Sequence, residues 1–269
     1  MKSQLHIPSD LLPYLAGNDP FSAMMQLQGK AFRDVVGRKT MQVTLGDKSY
    51  FIKQHFGVGW GEIFKSYLSF KKPVVSALTE VRAIQTLDEI GIPTTPLVAY
   101  GQQGCSPATM QSFVMTQDLG EIADAEALSQ NWLHLPADFK AHLVQAIALL
   151  ASRFHQAGLC HRDFYLCHFV VKKAELAQGQ LNLHLIDLHR VLHNQSPSGK
   201  GVMKDIAGLF FSAKQVGWNK DDLSLFKQHY LAQSDAFWAQ VEDRSQALLV
   251  KFNSQKFQAR LAEDRKKLG

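Results

Sequence analysis

The sequence predicts an α+β fold in two lobes. Residues 1–116 read as an antiparallel β-sheet lobe with one main helix, and residues 117–269 as a mainly helical lobe. Three observations predict it. Short alternating runs of apolar and polar residues, broken at Gly and Asp, dominate the first part. One run with helical spacing interrupts them. Beyond residue 136 the apolar residues mostly recur at three- and four-residue intervals, as in helices that bury one face.

Each element follows in order. Residues 10–30 mix Pro, Asp and apolar side chains and read as helical turns. Residues 32–36 form a strand that turns at Gly37-Arg38. Residues 39–45 alternate and stop at Gly46-Asp47, and residues 49–53 resume as a strand, which predicts a hairpin. Residues 61–72 are rich in aromatic residues and lysines, and Pro73 closes them. Residues 79–90 read as a helix with Val81, Ile84, Leu87 and Ile90 on one face and Gly91 as its stop. Residues 97–100 and 112–116 read as strands. A longer helix begins near Pro136, carries Asp138 in its first turn and ends before Gly158, and its apolar stripe is Phe139, Leu143, Ala146, Ile147, Leu150 and Phe154. Residues 169–171 and 181–186 form a hairpin across a polar, Gly-containing turn. From Asp205 on the chain reads as mostly helical.

Composition narrows the function. The chain has 269 residues, 46% of them hydrophobic and 20% charged, which is ordinary for a globular protein with a sizeable core. Lys and Arg outnumber Asp and Glu by 29 to 24, a net charge of +5. That balance suits a polyanionic substrate or an anionic membrane surface. No nucleic-acid-binding motif accompanies it, so nucleic acid is not expected as a partner. The three cysteines, Cys105, Cys160 and Cys167, are too few and too irregular for a disulfide framework and point to a reducing compartment. The first residues lack the apolar run of a secretory signal, and no stretch reaches the ~18 apolar residues of a bilayer span. A cytoplasmic protein is expected, with room for peripheral contact at a membrane face.

The chemistry sits in His161-Arg162-Asp163, with His168 five residues past the Asp and Asp187 at the end of a short apolar strand. Kinases place a catalytic Asp, a metal ligand five residues on and a second metal-binding Asp in this order. Phosphoryl transfer needs one carboxylate at the acceptor hydroxyl and another for Mg²⁺ on the nucleotide phosphates. On this pattern Asp163 is the general base and Asp187 the metal ligand. His168 stands where protein kinases carry Asn. An imidazole is a poor Mg²⁺ ligand, so His168 either touches the metal weakly or holds Asp163 or a phosphate oxygen by hydrogen bond. Lys53 ends an alternating strand, where its ammonium can reach phosphates, and Glu80 at the start of the next helix can pair with it. A complete Gly-x-Gly-x-x-Gly loop is absent before Lys53. Gly37 is the glycine available there, and Arg38 and Lys39 are the candidates to supply backbone and side-chain phosphate donors instead. The adjacent pairs Cys160-His161 and Cys167-His168 do not fit zinc-ligand spacing.

These residues also carry a family resemblance. Residues 48–53, Phe154-His155-Gln156-Ala157-Gly158, the stretch 161–169, Ile186-Asp187-Leu188-His189-Arg190 and Lys204-Asp205-Ile206-Ala207-Gly208-Leu209 resemble the protein-kinase-like superfamily. More closely, they resemble its lipopolysaccharide core heptose(I) kinase family, of the WaaP/RfaP type. The resemblance covers nearly the whole chain and accommodates His168. It implies a two-lobed protein-kinase-like fold with ATP and Mg²⁺ held between the lobes, and an inner-core heptose of the lipid A–core glycolipid as acceptor. It further implies that His161 and Arg162 belong to the catalytic loop and that Asp205 braces its backbone. The mixture of aromatic residues and lysines at 63–72, and the basic segment 251–267, then suit contact with that glycolipid at the inner-membrane surface. Two alternatives stay open: the same fold acting on another acceptor such as Kdo, a protein or a small molecule, and a catalytically silent kinase-like binding module.

Overall fold

In the computed structural model, residues 4–35, 37–57, 59, 76–106 and 108–266 are described. The aromatic segment at 61–72 therefore lies outside the described residues, as do Val36 and the last residue of the 251–267 segment. The chain forms two compact units. Met1–Gly120 and Ile186–Val191 make up the first, and Glu121–Leu185 and Leu192–Gly269 the second.

The first unit is built on a six-stranded antiparallel sheet. Its strands are β1 (Gln4–His6), β2 (Lys30–Val35), β3 (Arg38–Leu45), β4 (Lys48–His55), β5 (Leu97–Gln103) and β6 (Gln111–Gln117), in the spatial order β1-β5-β6-β4-β3-β2. The expected hairpin is β3–β4. Leu45 pairs with Lys48 across Gly46-Asp47, and Gly46 adopts the left-handed conformation that such a tight turn requires. Alternation sorts the two faces. Met41, Val43, Leu45, Tyr50 and Ile52 point into the core with Phe113 and Met115, under α1 (Pro20–Gln26), which supplies Phe21, Met24 and Met25. Lys53 follows Ile52 and so points to the other face. Gly101 is needed where β5 crosses this core, because a Cβ there would lie 2.7 Å from the Phe113 ring.

Helix α2 (Leu78–Glu89) packs against β5 and against the short 186–191 segment. Its first amide groups are satisfied by serines: Ser112 Oγ accepts from the Ala77 N–H at 2.9 Å and Ser76 Oγ from the Leu78 N–H at 3.0 Å. Val81, Ile84 and Leu87 are buried, as the predicted face requires. The helix stops at left-handed Gly91, with the Ile92 N–H donating back to the Leu87 carbonyl at 2.8 Å.

The second unit is mainly helical. Its small sheet, β7 (Ile122–Asp124), β8 (Phe169–Lys172) and β9 (His184–Leu185), is antiparallel. The β8–β9 connection is not a plain turn, since the helical turn α5 (Lys173–Leu176) occupies it. The remaining helices are α3 (Ala125–Leu128), α4 (Ala137–Gln156), α6 (Lys200–Gln215), α7 (Lys220–His229), α8 (Asp235–Asn253) and α9 (Gln255–Lys266). In α4, four of the six predicted stripe residues, Leu143, Ile147, Leu150 and Phe154, are buried, Phe139 and Ala146 are half-buried, and Leu149, on the opposite side, is exposed. Phe154 stacks on Phe164, which meets Phe169 edge-on, so the core of this unit runs directly beneath the His161-Arg162-Asp163 loop. Asp205 is buried inside α6. Among the described residues, no helix is long and apolar enough to cross a membrane.

Candidate active site

In the first unit, three of the sequence-predicted residues meet. Strand β4 carries Lys53, the first turn of α2 carries Glu80, and Asp187 lies in the segment packed on α2. Lys53 Nζ lies 2.7 Å from Glu80 Oε1 and 3.3 Å from Asp187 Oδ1. Burial alone would pull the Lys53 ammonium down. The fields of Glu80 and Asp187 outweigh it and hold its pKa above the ordinary lysine value of 10.5. Lys53 is thus a fixed cation on the sheet face opposite the core. Glu80 is buried, which is costly for a carboxylate unless it is paired, and Lys53 is its pair.

Asp187 is the unusual member. Its backbone is left-handed, with φ 62° and ψ 51°, a conformation that non-glycine residues seldom adopt. Its Oδ1 also meets His189 Nδ1 at 2.7 Å. A carboxylate only accepts, so Nδ1 carries the proton in this contact. The single turn Leu188–Arg190 brings His189 back alongside the Asp two residues before it.

Gly37 forms the β2–β3 turn, left-handed with φ 79°, and its carbonyl accepts from the Phe56 N–H at 2.9 Å. Arg38 opens β3 opposite His55. Burial, then the neighbouring Arg33, lowers its pKa below the ordinary arginine value, and the fields of Asp187 and Glu80 oppose them. His55 is buried too. Burial first, then the charges of Arg38, Lys53 and His189, push its pKa down to about 3, so it is neutral at physiological pH. Arg38 and Lys53 thus stand as cations in the fields of two carboxylates, Glu80 and Asp187, and their positive charge suits a polyphosphate.

Among the described residues, no group of three or more His, Cys, Asp or Glu side chains could hold a metal ion by itself. Mg²⁺ carried on a nucleotide takes one or two protein carboxylates and completes its shell with phosphates and water. Asp187 carries hard carboxylate oxygens of the type such a metal takes.

In the second unit the His161-Arg162-Asp163 loop is held from below by α6. The buried Asp205 carboxylate accepts from the His161 N–H at 2.6 Å and from the Arg162 N–H at 2.8 Å. Arg162 is left-handed, with φ 74°, and those bonds hold it so. His155 adds to the brace. Its Nε2 lies 3.5 Å from Asp205 and its Nδ1 2.8 Å from the Tyr230 hydroxyl. Burial, then the charge of Asp205, raises the Tyr230 pKa, so its hydroxyl keeps its proton. Ser212 Oγ accepts from the Leu166 N–H at 3.0 Å. His161 is buried and its ring stacks on His168 at 5.3 Å. His168 Nδ1 lies 2.5 Å from the Asp163 main-chain oxygen. A carbonyl only accepts, so His168 donates there and fixes the backbone that carries Asp163. This is the hydrogen-bonding option for His168, directed at the main chain of Asp163.

Sequence reasoning missed His55, Tyr230, Ser212 and His189 as site residues. Ser212 had a usable signal, because Asp205, Gly208 and Ser212 fall on one helical stripe. The others are brought in by tertiary pairing that local patterns do not encode.

The chain is also similar to known proteins. The family model "Lipopolysaccharide kinase (Kdo/WaaP) family" matches residues 22–230. Lipopolysaccharide core heptose(I) kinase WaaP of Pseudomonas aeruginosa is 39% identical over 217 residues, 80% of this chain and 81% of that protein. The Escherichia coli protein of the same name is 35% identical over 219 residues, 80% of this chain and 83% of that one. The solved structure "WaaP in complex with acyl carrier protein" superposes with a TM-score of 0.75 at 31% identity, over 91% of this chain and 99% of that one. The fold is that of a two-lobed, protein-kinase-like enzyme, and the chain belongs to the lipopolysaccharide kinase (Kdo/WaaP) family.

Proposed function

We propose that this protein is an ATP-dependent kinase that transfers the γ-phosphoryl group to a heptose hydroxyl of the lipopolysaccharide inner core. The observation that carries the kinase reading is the 2.7 Å pair between Lys53 and Glu80, with Asp187 at 3.3 Å from the same ammonium. A lone lysine would trail in solvent, whereas this one, two residues inside the end of β4, is held by two carboxylates. The names of the relatives carry the acceptor.

In the reaction, Lys53 binds a nucleotide phosphate oxygen and Glu80 holds Lys53 in place. Gly37 and Arg38 take the part of the glycine-rich loop, through the turn and the guanidinium. Asp163 orients the acceptor hydroxyl and takes its proton as the new O–P bond forms and the bond to ADP breaks, a contribution of about 10²–10⁴-fold. Asp187 would hold Mg²⁺, which when bound neutralises charge on the phosphates. His168 and Asp205 hold the loop that presents Asp163, together with His161 and Arg162.

The net charge of +5 supports docking on the anionic glycolipid at the cytoplasmic face of the inner membrane. The solved relative adds a partner that the sequence did not suggest. By that likeness we include an acyl carrier protein, to be checked by co-purification. The test of the function is transfer of label from γ-labelled ATP to purified lipopolysaccharide lacking core phosphate, with a Kdo-terminated core as comparison. Label on heptose supports the reading. Label only on Kdo, or none on either, contradicts it.

A further inference from the structure

Asp187 holds an unfavourable backbone conformation in a segment without the Phe-Gly that follows this aspartate in protein kinases. Something local has to set its carboxylate. Two donors reach the same oxygen, Oδ1: Lys53 Nζ at 3.3 Å from across the sheet, and His189 Nδ1 at 2.7 Å from two residues further along the chain. Lys53 sits on a long flexible stem and is already committed to Glu80 at the shorter distance of 2.7 Å. His189 has a short stem, its side chain is only 13% exposed, and Leu188 beside it is buried, so its ring is the more rigid of the two donors. Two donors converging on one oxygen fix the plane of the carboxylate.

We propose that His189 is the positioning residue for the metal-binding carboxylate, its Nδ1–H orienting Asp187 for a nucleotide-bound divalent cation. This rests on the nucleotide-site reading above. His189 touches neither nucleotide nor acceptor in this role. It acts through Asp187, as the hydrogen-bonded partners of metal-ligating groups generally do.

The test uses the full chain and a non-hydrolysable ATP analogue, with affinity measured in Mg²⁺ and again in EDTA. The ratio of the two reports metal coupling and needs no acceptor. His189→Phe keeps a ring of similar size without a donor. His189→Asn places Nδ2 where Nδ1 lies. We expect His189→Phe to lower the Mg²⁺ enhancement about tenfold while leaving the affinity in EDTA as in wild type. We expect His189→Asn to restore the enhancement. An enhancement unchanged in His189→Phe, or lost equally in both variants, overturns the proposal, because the donor would then not be what matters. A fall in EDTA affinity and thermal stability together, without a change in the ratio, also overturns it, since that marks a purely structural residue. Should His189→Phe not fold, His189→Asn decides alone, and loss of its enhancement is the contradicting result. A wild type with no Mg²⁺ enhancement overturns the nucleotide-site reading itself, and this inference with it.

Discussion

At the scale of single residues, Lys53 shows most clearly how placement creates chemistry. Its ammonium faces Glu80 and Asp187, and Glu80 is buried at 4% exposure. Replacing it by Met would remove the phosphate cation and leave Glu80 a buried carboxylate without its pair. Lys53→Met should therefore cut kcat/KM for ATP by a hundredfold or more, while costing only about 1–3 kcal/mol of stability. Steady-state kinetics and urea unfolding on the same sample would check both. An activity loss no larger than the unfolded fraction explains would argue against a phosphate role. That Lys53, Glu80 and Asp187 meet was legible, because motif order and helix position suggested it and the structure brings the three together. His189 was not, because nothing in the spacing says that a histidine two residues after an aspartate will fold back onto it.

At the scale of elements, α6 holds the His161-Arg162-Asp163 loop. Asp205, Gly208 and Ser212 are spaced three and four apart and so share one stripe. Asp205 and Ser212 accept loop amides, and Gly208 allows close approach, since a Cβ there would lie 3.2 Å from the Phe164 carbonyl. Ser212→Ala leaves the buried Leu166 N–H without its acceptor, which should cost about 1–3 kcal/mol in urea unfolding. A change within a few tenths of a kcal/mol would show that the loop is held elsewhere. The elements themselves were largely legible. The β3–β4 hairpin, α2 and α4 lie close to where alternation, helical spacing and the glycine stops put them. The helical turn α5 was missed because a four-residue element is too short to show a period, and α6 begins at Lys200, ahead of the expected start at Asp205.

At the scale of the whole molecule, folding stability should depend on His55. Unfolded, it takes up a proton near 6.5, whereas in the folded protein it does so only near 3. Below pH 6.5 the unfolded chain therefore binds more protons than the folded one. Stability from this group is full above pH 6.5 and is lost as pH falls toward 3, at up to about 1.4 kcal/mol per pH unit. Melting temperature measured from pH 7.5 to 4.5 should fall in wild type and fall less steeply in His55→Gln. Equal slopes would contradict the assignment. The grouping of Ile186–Val191 with the first unit also belongs to this scale. A segment that follows the catalytic loop in sequence contributes its aspartate to the unit that holds Lys53, and only the folded chain shows this.

Phosphoryl transfer to core heptose with Asp163 as base stands or falls on one rate. The most direct test is the rate of label transfer from γ-labelled ATP to lipopolysaccharide lacking core phosphate, with wild type beside Asp163→Ala. The account predicts label on heptose with wild type and a rate at least a hundredfold lower with the variant. Equal rates for the two proteins, or no transfer by a folded wild type that binds ATP, would contradict it.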